Sequence, residues 1–309
     1  MNNVLRNHNE FIELIEQIDA QFKKNNVPIP VRPIEAVREF AKKLKIAIKL
    51  GPNCKAIPGK YNWETLTGHI HDWYEKRYGE RLKENFSPGS AAFIIKGDVW
   101  KINTPLILGK VRFTIDRDLD KYAEAKKGGF APNLPVYNVL KSIEGFTPEL
   151  ALTLSNFELF DILAFVKYIS DILHLIQYFI VKKLPFISEA KADYDSSVSY
   201  IFTSRYGLSK WGSLQFAEKL LKCFLSIKGV GVPKTHNLNK LSTMAEGMGL
   251  PKLSKSNIEK VQCAAGVRYG EYVVTLKEAV SAHHASLIIC NLICLELKNL
   301  FVKKDNNKT

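Results

Sequence analysis

The sequence predicts an α+β protein: a mixed N-terminal domain with a few short antiparallel strands, followed by an all-α helical bundle. Three observations carry this. Apolar residues recur at helical spacing in the first 50 residues and again from about residue 137 onward. Between 91 and 115 the period changes to short runs rich in Ile, Val and Phe, separated by turn residues. Two C-terminal stretches hold a strict alternation of four and three between apolar positions.

The 309 residues suggest two domains, at roughly 150 residues each. The expected division is an α+β domain over 1–150, a long connecting helix over 151–188, and a helical domain over 189–309. In the first helix Phe11, Leu14, Ile15, Ile18 and Phe22 form one stripe. The segment VPIPVRP interrupts the chain, because proline cannot donate to a helix ladder. Pro33 suits the first turn of a second helix striped by Ile34, Val37, Ala41, Leu44 and Ile48. A third helix is expected from a cap at Asn62 to about Leu82.

The strand region reads AAFIIKGDVWKINTPLILGKVRFTI, with turns at Lys96-Gly97-Asp98, Asn103-Thr104-Pro105 and Gly109-Lys110. GGFAPNLP, residues 128–135, reads as a loop. Further on, Ile162, Val166, Ile169, Leu173, Ile176 and Ile180 alternate by four and three. So do Leu276, Val280, His283, Leu287, Cys290, Cys294, Leu297 and Phe301. Ile288, Ile289, Leu292, Ile293 and Leu295 widen that second stripe to two sides. One side suits a domain core and the other a homodimer interface formed by the C-terminal helix.

Apolar residues are 46% and charged residues 24% of the chain, the profile of an ordinary globular protein. Five cysteines without a CxxC pair exclude a disulfide scaffold and a zinc knuckle. The start, MNNVLRNHNE, lacks a secretory core, and a reducing cytoplasm is the expected compartment. Leu159 to Val181 is long enough to span a bilayer, but Asp161, Lys167, Asp171 and His174 make it a buried helix rather than a membrane one. The net charge is +13. It is spread evenly: residues 1–150 carry 24 basic and 18 acidic side chains, and residues 151–309 carry 20 and 13. Such an excess favours salt-sensitive attraction to polyanions, and a merely solvated basic surface accounts for it equally well.

Three stretches in order carry a family resemblance. The first is SLQFAEKLLKCFLSIKGVGVPKTHNLNKL, residues 213–241: a helix with an Ala-Glu-Lys centre, a glycine turn, and a Thr-His-Asn-Leu segment opening the next helix. The second is GVRYGEY, residues 266–272, and the third is the long final helix containing TLKEAVSAHHASLIICNLI. Residues 189–301 resemble the HEPN family of helical domains. Many members of that family are metal-independent ribonucleases, with an Arg followed four to six residues later by a His. That chemistry needs a cation for the phosphate and an imidazole that titrates near neutrality. None of the nine arginines here has such a His downstream; Arg268, near the expected site, is followed by Tyr269, Gly270 and Glu271. The resemblance therefore implies a non-catalytic module for oligomerisation or nucleotide or RNA association, of the kind found in prokaryotic defence and toxin–antitoxin systems. A divergent ribonuclease is one alternative, in which His236 acts with an arginine distant in the sequence; Arg268 is a separate candidate because it stands near the family's expected site. On its own, His236 just before a helix reads as a packing or backbone-bonding residue.

A second alternative rests on Asp116-Arg117-Asp118 after the strand-like VRFTI. Two acids two residues apart on a strand face one way and could hold Mg²⁺. With Gly89-Ser90 upstream this resembles a nucleotidyltransferase, although 26 residues from Ser90 to Asp116 exceed that family's usual spacing. Magnesium belongs to that alternative; otherwise no cofactor or metal is expected. His69 and His71 lie about 200° apart on a helix and cannot share a metal. Cys290 and Cys294, like His283-His284, read as core residues of the last helix. The segment with Tyr74, Lys76, Arg77, Tyr78 and Arg81 is the expected nucleic-acid contact: cations for phosphates and tyrosines for bases. Glu75 and Glu80 dilute its charge.

Overall fold

Asn7 begins the first helix, its side-chain oxygen accepting from the Glu10 N–H at 3.0 Å. In the computed structural model, which describes residues 4–48, 54–82, 87–105, 110–121 and 136–306, this helix is α1, His8–Lys24. Phe11, Ile15, Ile18 and Phe22 are buried on it as the stripe predicts. α2, Arg32–Leu44, starts at the expected proline and ends where Lys45 turns left-handed at φ 52°. Its buried face is Pro33, Ala36, Val37 and Phe40, and Ile34 is exposed. The stripe is thus rotated by one residue, because Phe40 offers the largest ring to the core. α3 is Leu66–Tyr78. Asn62 does not cap it; its side chain accepts from the N–H groups of Glu64 and Thr65 in the preceding turn.

The chain divides into two compact units, Met1–Phe86 and Ser87–Thr309. The boundary expected near 150 is displaced, because the strands pack with the C-terminal helices. β1, Ser90–Ile95, and β2, Asp98–Asn103, form an antiparallel hairpin pairing Ile95 with Asp98. Lys96 and Gly97 both take positive φ, 51° and 91°, as a two-residue turn of this hand requires. β3, Arg112–Thr114, and β4, Val136–Asn138, pair in parallel, not antiparallel. Parallel neighbours cannot be joined by a tight turn, and twenty-one residues separate Thr114 from Val136 in the sequence. The Gly109 turn and the loop expected over 128–135 lie outside the described residues.

The rest of the second unit is helical, so the α+β class holds. α4 is Pro148–Thr153 and α5 is Asn156–Val181, opened by a reciprocal cap between Ser155 and Glu158. α6 (Ile187–Phe202), α7 (Tyr206–Ile227), α8 (Leu238–Gly247), α9 (Lys255–Val261) and α10 (Leu276–Asn306) complete the unit. Gly229, at φ 75°, ends α7, and Asn237 caps α8 by accepting from the Lys240 N–H. α10 packs against α5, α6, α7, α9 and β1. Both of its apolar sides are therefore used largely inside this one chain, while Ile288 and Leu295 stay exposed. Leu276–Phe301 is long and apolar enough to cross a membrane, and 61% of its most apolar window is buried inside the protein.

The hairpin is tied to α10 through one residue. Ala92 donates its N–H to Nε2 of His283 at 3.3 Å, and its carbonyl accepts from Nε2 of His284 at 2.8 Å. The Tyr194 hydroxyl donates to the Ser90 carbonyl at 2.8 Å, adding α6 to the same strand.

Candidate nucleic-acid interface

Three segments meet on one face of the second unit: the first half of α7, the loop before α8, and a 3-10 turn at Ala265–Tyr269. Gly207 permits the approach of that turn. A Cβ there would lie 2.5 Å from the Val267 carbonyl oxygen, closer than any real contact. The turn therefore rests directly on α7 and carries the next residue, Arg268, over the helix. The Arg268 guanidinium lies 4.3 Å from the Trp211 ring centroid and 5.0 Å from that of Tyr269. No carboxylate pairs with it among the described residues, so its charge stays available.

His236 reaches the other part of this site. Its ring centroid is 6.0 Å from that of Trp211. Its Nδ1 donates to Oε2 of Glu218 at 2.7 Å. The two partners differ in exposure: the Glu218 side chain is 4% exposed and that of His236 is 64%. A buried carboxylate thus anchors an imidazole presented to solvent, and Nε2 remains the free nitrogen of the ring. Glu218 also accepts from Lys222 at 2.7 Å and from Gln215 at 3.3 Å, which satisfies its buried charge. The backbone at His236 is held as well. Gln262 donates to the His236 carbonyl and accepts from the Leu238 N–H at 2.9 Å. Nearby, Lys219 pairs with Asp193. Burial raises the Asp193 pKa, and Lys219 opposes that shift.

His236 and Arg268 are thus brought to one indole, although thirty-two positions separate them in the sequence. The arrangement supplies a cation for a phosphate, aromatic faces for a base, and an oriented imidazole. Tyr272 adds a second exposed ring close in sequence, 58% exposed. Trp211, Glu218, Gln215 and Lys222 do not stand out in the sequence. Glu218 and Lys222, four apart on a helix, read there as an ordinary surface pair.

The α3 segment offers less than expected. Tyr74 is fully buried and cannot stack on a base; burial also pushes its phenol pKa up. The Tyr78 hydroxyl donates to Asp19 at 2.6 Å and accepts from Arg32 at 3.1 Å. Arg77 pairs with Glu16 at 3.2 Å and lies 4.8 Å from the Trp73 ring. Lys76 and Arg81 are exposed.

Asp116 and Asp118 do not lie on a strand, since β3 ends at Thr114. They form consecutive turns instead. Asp116 accepts from the Asp118 N–H at 3.0 Å, and Asp118 from the Asp120 N–H at 3.0 Å. Lys121 occupies the second Asp116 oxygen at 2.6 Å. The Lys121 hydrogen bond, then the Asp118 backbone N–H, lower the Asp116 pKa. The alternation that would aim both acids at one Mg²⁺ is therefore missing. Among the described residues no group of three or more His, Cys, Asp or Glu is placed to hold a metal ion.

No family model, curated protein or solved structure matches this chain.

Proposed function

We propose that the second unit is a HEPN-like module that associates with single-stranded RNA without cleaving it, within a defence or toxin–antitoxin setting. The observation that carries the binding role is the layering of Arg268 and His236 on Trp211. An unpaired guanidinium meets a phosphate, and Trp211, Tyr269 and Tyr272 offer ring faces to unstacked bases. The net charge of +13 supports the approach of a polyanion. The test is fluorescence anisotropy with a labelled single-stranded RNA at low salt. Arg268→Ala and Trp211→Ala should each weaken binding at least tenfold, and unchanged affinity in both would refute the reading.

A second reading is favoured by the 2.7 Å bond from His236 to Glu218. An imidazole oriented by a carboxylate can take the proton of an RNA 2′-hydroxyl as that oxygen attacks the neighbouring phosphorus. Arg268 would neutralise the phosphate, the P–O5′ bond would break as the P–O2′ bond forms, and the proton taken by the imidazole would pass to the departing 5′-oxygen, leaving a 2′,3′-cyclic phosphate. Cleavage in EDTA that disappears in His236→Ala would establish this reading over simple association.

Homodimerisation through α10 is the remaining component of the proposal. Ile288 and Leu295 are 41% and 43% exposed and lie seven residues apart, on one face.

A further inference from the structure

A cavity of about 420 Å³ lies between α9, α10 and the start of α7. Lys210, Lys260 and Lys277 line it, together with Ser256 and Ser281. Its two carboxylates are engaged elsewhere. Glu278 accepts from the N–H and the hydroxyl of Thr275, both at 2.8 Å. Glu259 faces Lys255 at 3.7 Å. None of the three lysines forms a salt bridge within 4 Å among the described residues, although the Lys210 charge, after the Thr275 hydrogen bonds, helps to lower the Glu278 pKa. Three ammonium groups and two hydroxyls stand here against two carboxylates, which leaves an excess of one positive charge and hydroxyl donors for a phosphate.

Lys260, Lys277 and Ser281 also line an adjoining cavity of about 270 Å³. Its other walls change character. Ile94, Val280, the His284 ring and Ile288, which also belongs to the exposed face of α10, form an apolar side, and Ile94 is 40% exposed to it and to solvent. His284 uses Nε2 as donor to the Ala92 carbonyl, which leaves Nδ1 as the acceptor of a neutral ring. A cationic end therefore passes into an apolar end, with three residues common to both.

We infer that this double cavity binds a small phosphomonoester whose organic part is apolar or aromatic. The phosphate sits among Lys210, Lys260 and Lys277, and the organic group lies against Ile94, Val280 and His284. Neither Trp211 nor Arg268 lines the cavity, so this site stands apart from the RNA surface.

Isothermal titration calorimetry in phosphate-free buffer at low salt tests it, with inorganic phosphate, phenyl phosphate and phenol as probes. Phenyl phosphate should bind at least tenfold tighter than inorganic phosphate, and phenol should not bind detectably. The exposed double variant Lys260→Gln/Lys277→Gln should lose at least tenfold in phenyl phosphate affinity. Ile94→Asn should bring phenyl phosphate down to the level of inorganic phosphate, which shows that the apolar wall acts separately from the cations. Arg268→Ala should leave all these affinities unchanged. Absence of phenyl phosphate binding to the wild type, equal affinity for phenyl and inorganic phosphate, or undiminished binding by the lysine variant would each overturn the inference.

Discussion

Glu218 of α7 is buried, yet it holds the exposed ring of His236 through a 2.7 Å hydrogen bond from Nδ1. The same carboxylate neutralises Lys222, whose side chain is only 14% exposed. Glu218 therefore has two tasks, one in the core and one at the surface. Glu218→Ala should remove charge-assisted hydrogen bonds and leave Lys222 without its partner. Each such bond contributes about 1.5–3 kcal/mol. Urea denaturation should show a loss of that order or above. Glu218→Gln, which keeps an acceptor, should lose less and should still bind RNA.

Arg268 meets the solvent with its charge unpaired, over the face of Trp211. If it contacts one phosphate, Arg268→Ala should reduce the slope of log affinity against log salt by about one unit. Trp211→Ala should weaken binding with little change of slope, because stacking releases no counterions. Removing Lys76, Arg77 and Arg81 together provides the contrast. Their segment, α3 and the turn after it, has lost Tyr74 to the core and Tyr78 to Asp19, so this triple variant should bind almost as the wild type does.

Light scattering at micromolar concentration should report about twice the 35.0 kDa chain mass. A charge on the exposed face of α10 opposes association, so Leu295→Glu should give a monomer with an unchanged melting temperature. A wild type that stays monomeric at high concentration would exclude this interface.

The helical half of the fold is legible in the sequence because period and capping act locally. Phe216, Leu220, Cys223 and Phe224 share one buried face at helical spacing, and the glycine turn and the Thr-His-Asn-Leu segment mark the end of α7 and the start of α8 through Gly229 and Asn237. The strand pairing is legible only where a turn encodes it. Lys96-Gly97 specifies its hairpin, whereas nothing near Arg112 announces a parallel partner at Val136. The site is hidden for the same reason. His236 and Arg268 meet through Trp211 and the bare backbone at Gly207, which are tertiary contacts with no spacing of their own. Tyr74 shows the converse error: its neighbours are charged, but its own position on α3 faces the core.

Acid should unfold the second unit through His283. Burial, then the neighbouring His284, hold its pKa well below the ordinary 6.5. Its Nε2 must stay unprotonated to accept from the Ala92 N–H. A histidine with a lowered folded pKa contributes stability that is complete above about pH 6.5 and is lost as pH falls from there toward the folded value. Melting temperature should therefore drop between pH 7 and pH 5. In His283→Gln, whose amide oxygen can accept from Ala92 without titrating, the drop should be shallower.

The first unit has its own buried charge. Asp19 is 1% exposed and lies at the meeting of α1, α2 and α3. It accepts from Tyr78 at 2.6 Å, from Lys23 at 2.9 Å and from Arg32 at 3.3 Å. Burial works to raise the Asp19 pKa, but the hydrogen bonds of Tyr78 and Lys23 and the charges of Lys23 and Arg32 outweigh it, so the net shift is downward. The carboxylate is therefore charged in the folded state, and its contribution is present above its unfolded value of 3.8 and lost as pH falls below that. Removing one partner of a buried ion pair typically costs about 3–5 kcal/mol, because the other charge is left without compensation. Arg32, 7% exposed, would be that charge in Asp19→Ala. Thermal unfolding at neutral pH should show a loss approaching that range in Asp19→Ala. The double variant Asp19→Leu/Arg32→Met should recover much of it by burying apolar groups instead. A single Asp19→Ala that melts as the wild type would mean that the apolar core around Phe11, Ile15, Phe40, Leu66 and Ile70 holds the three helices with no help from this cluster.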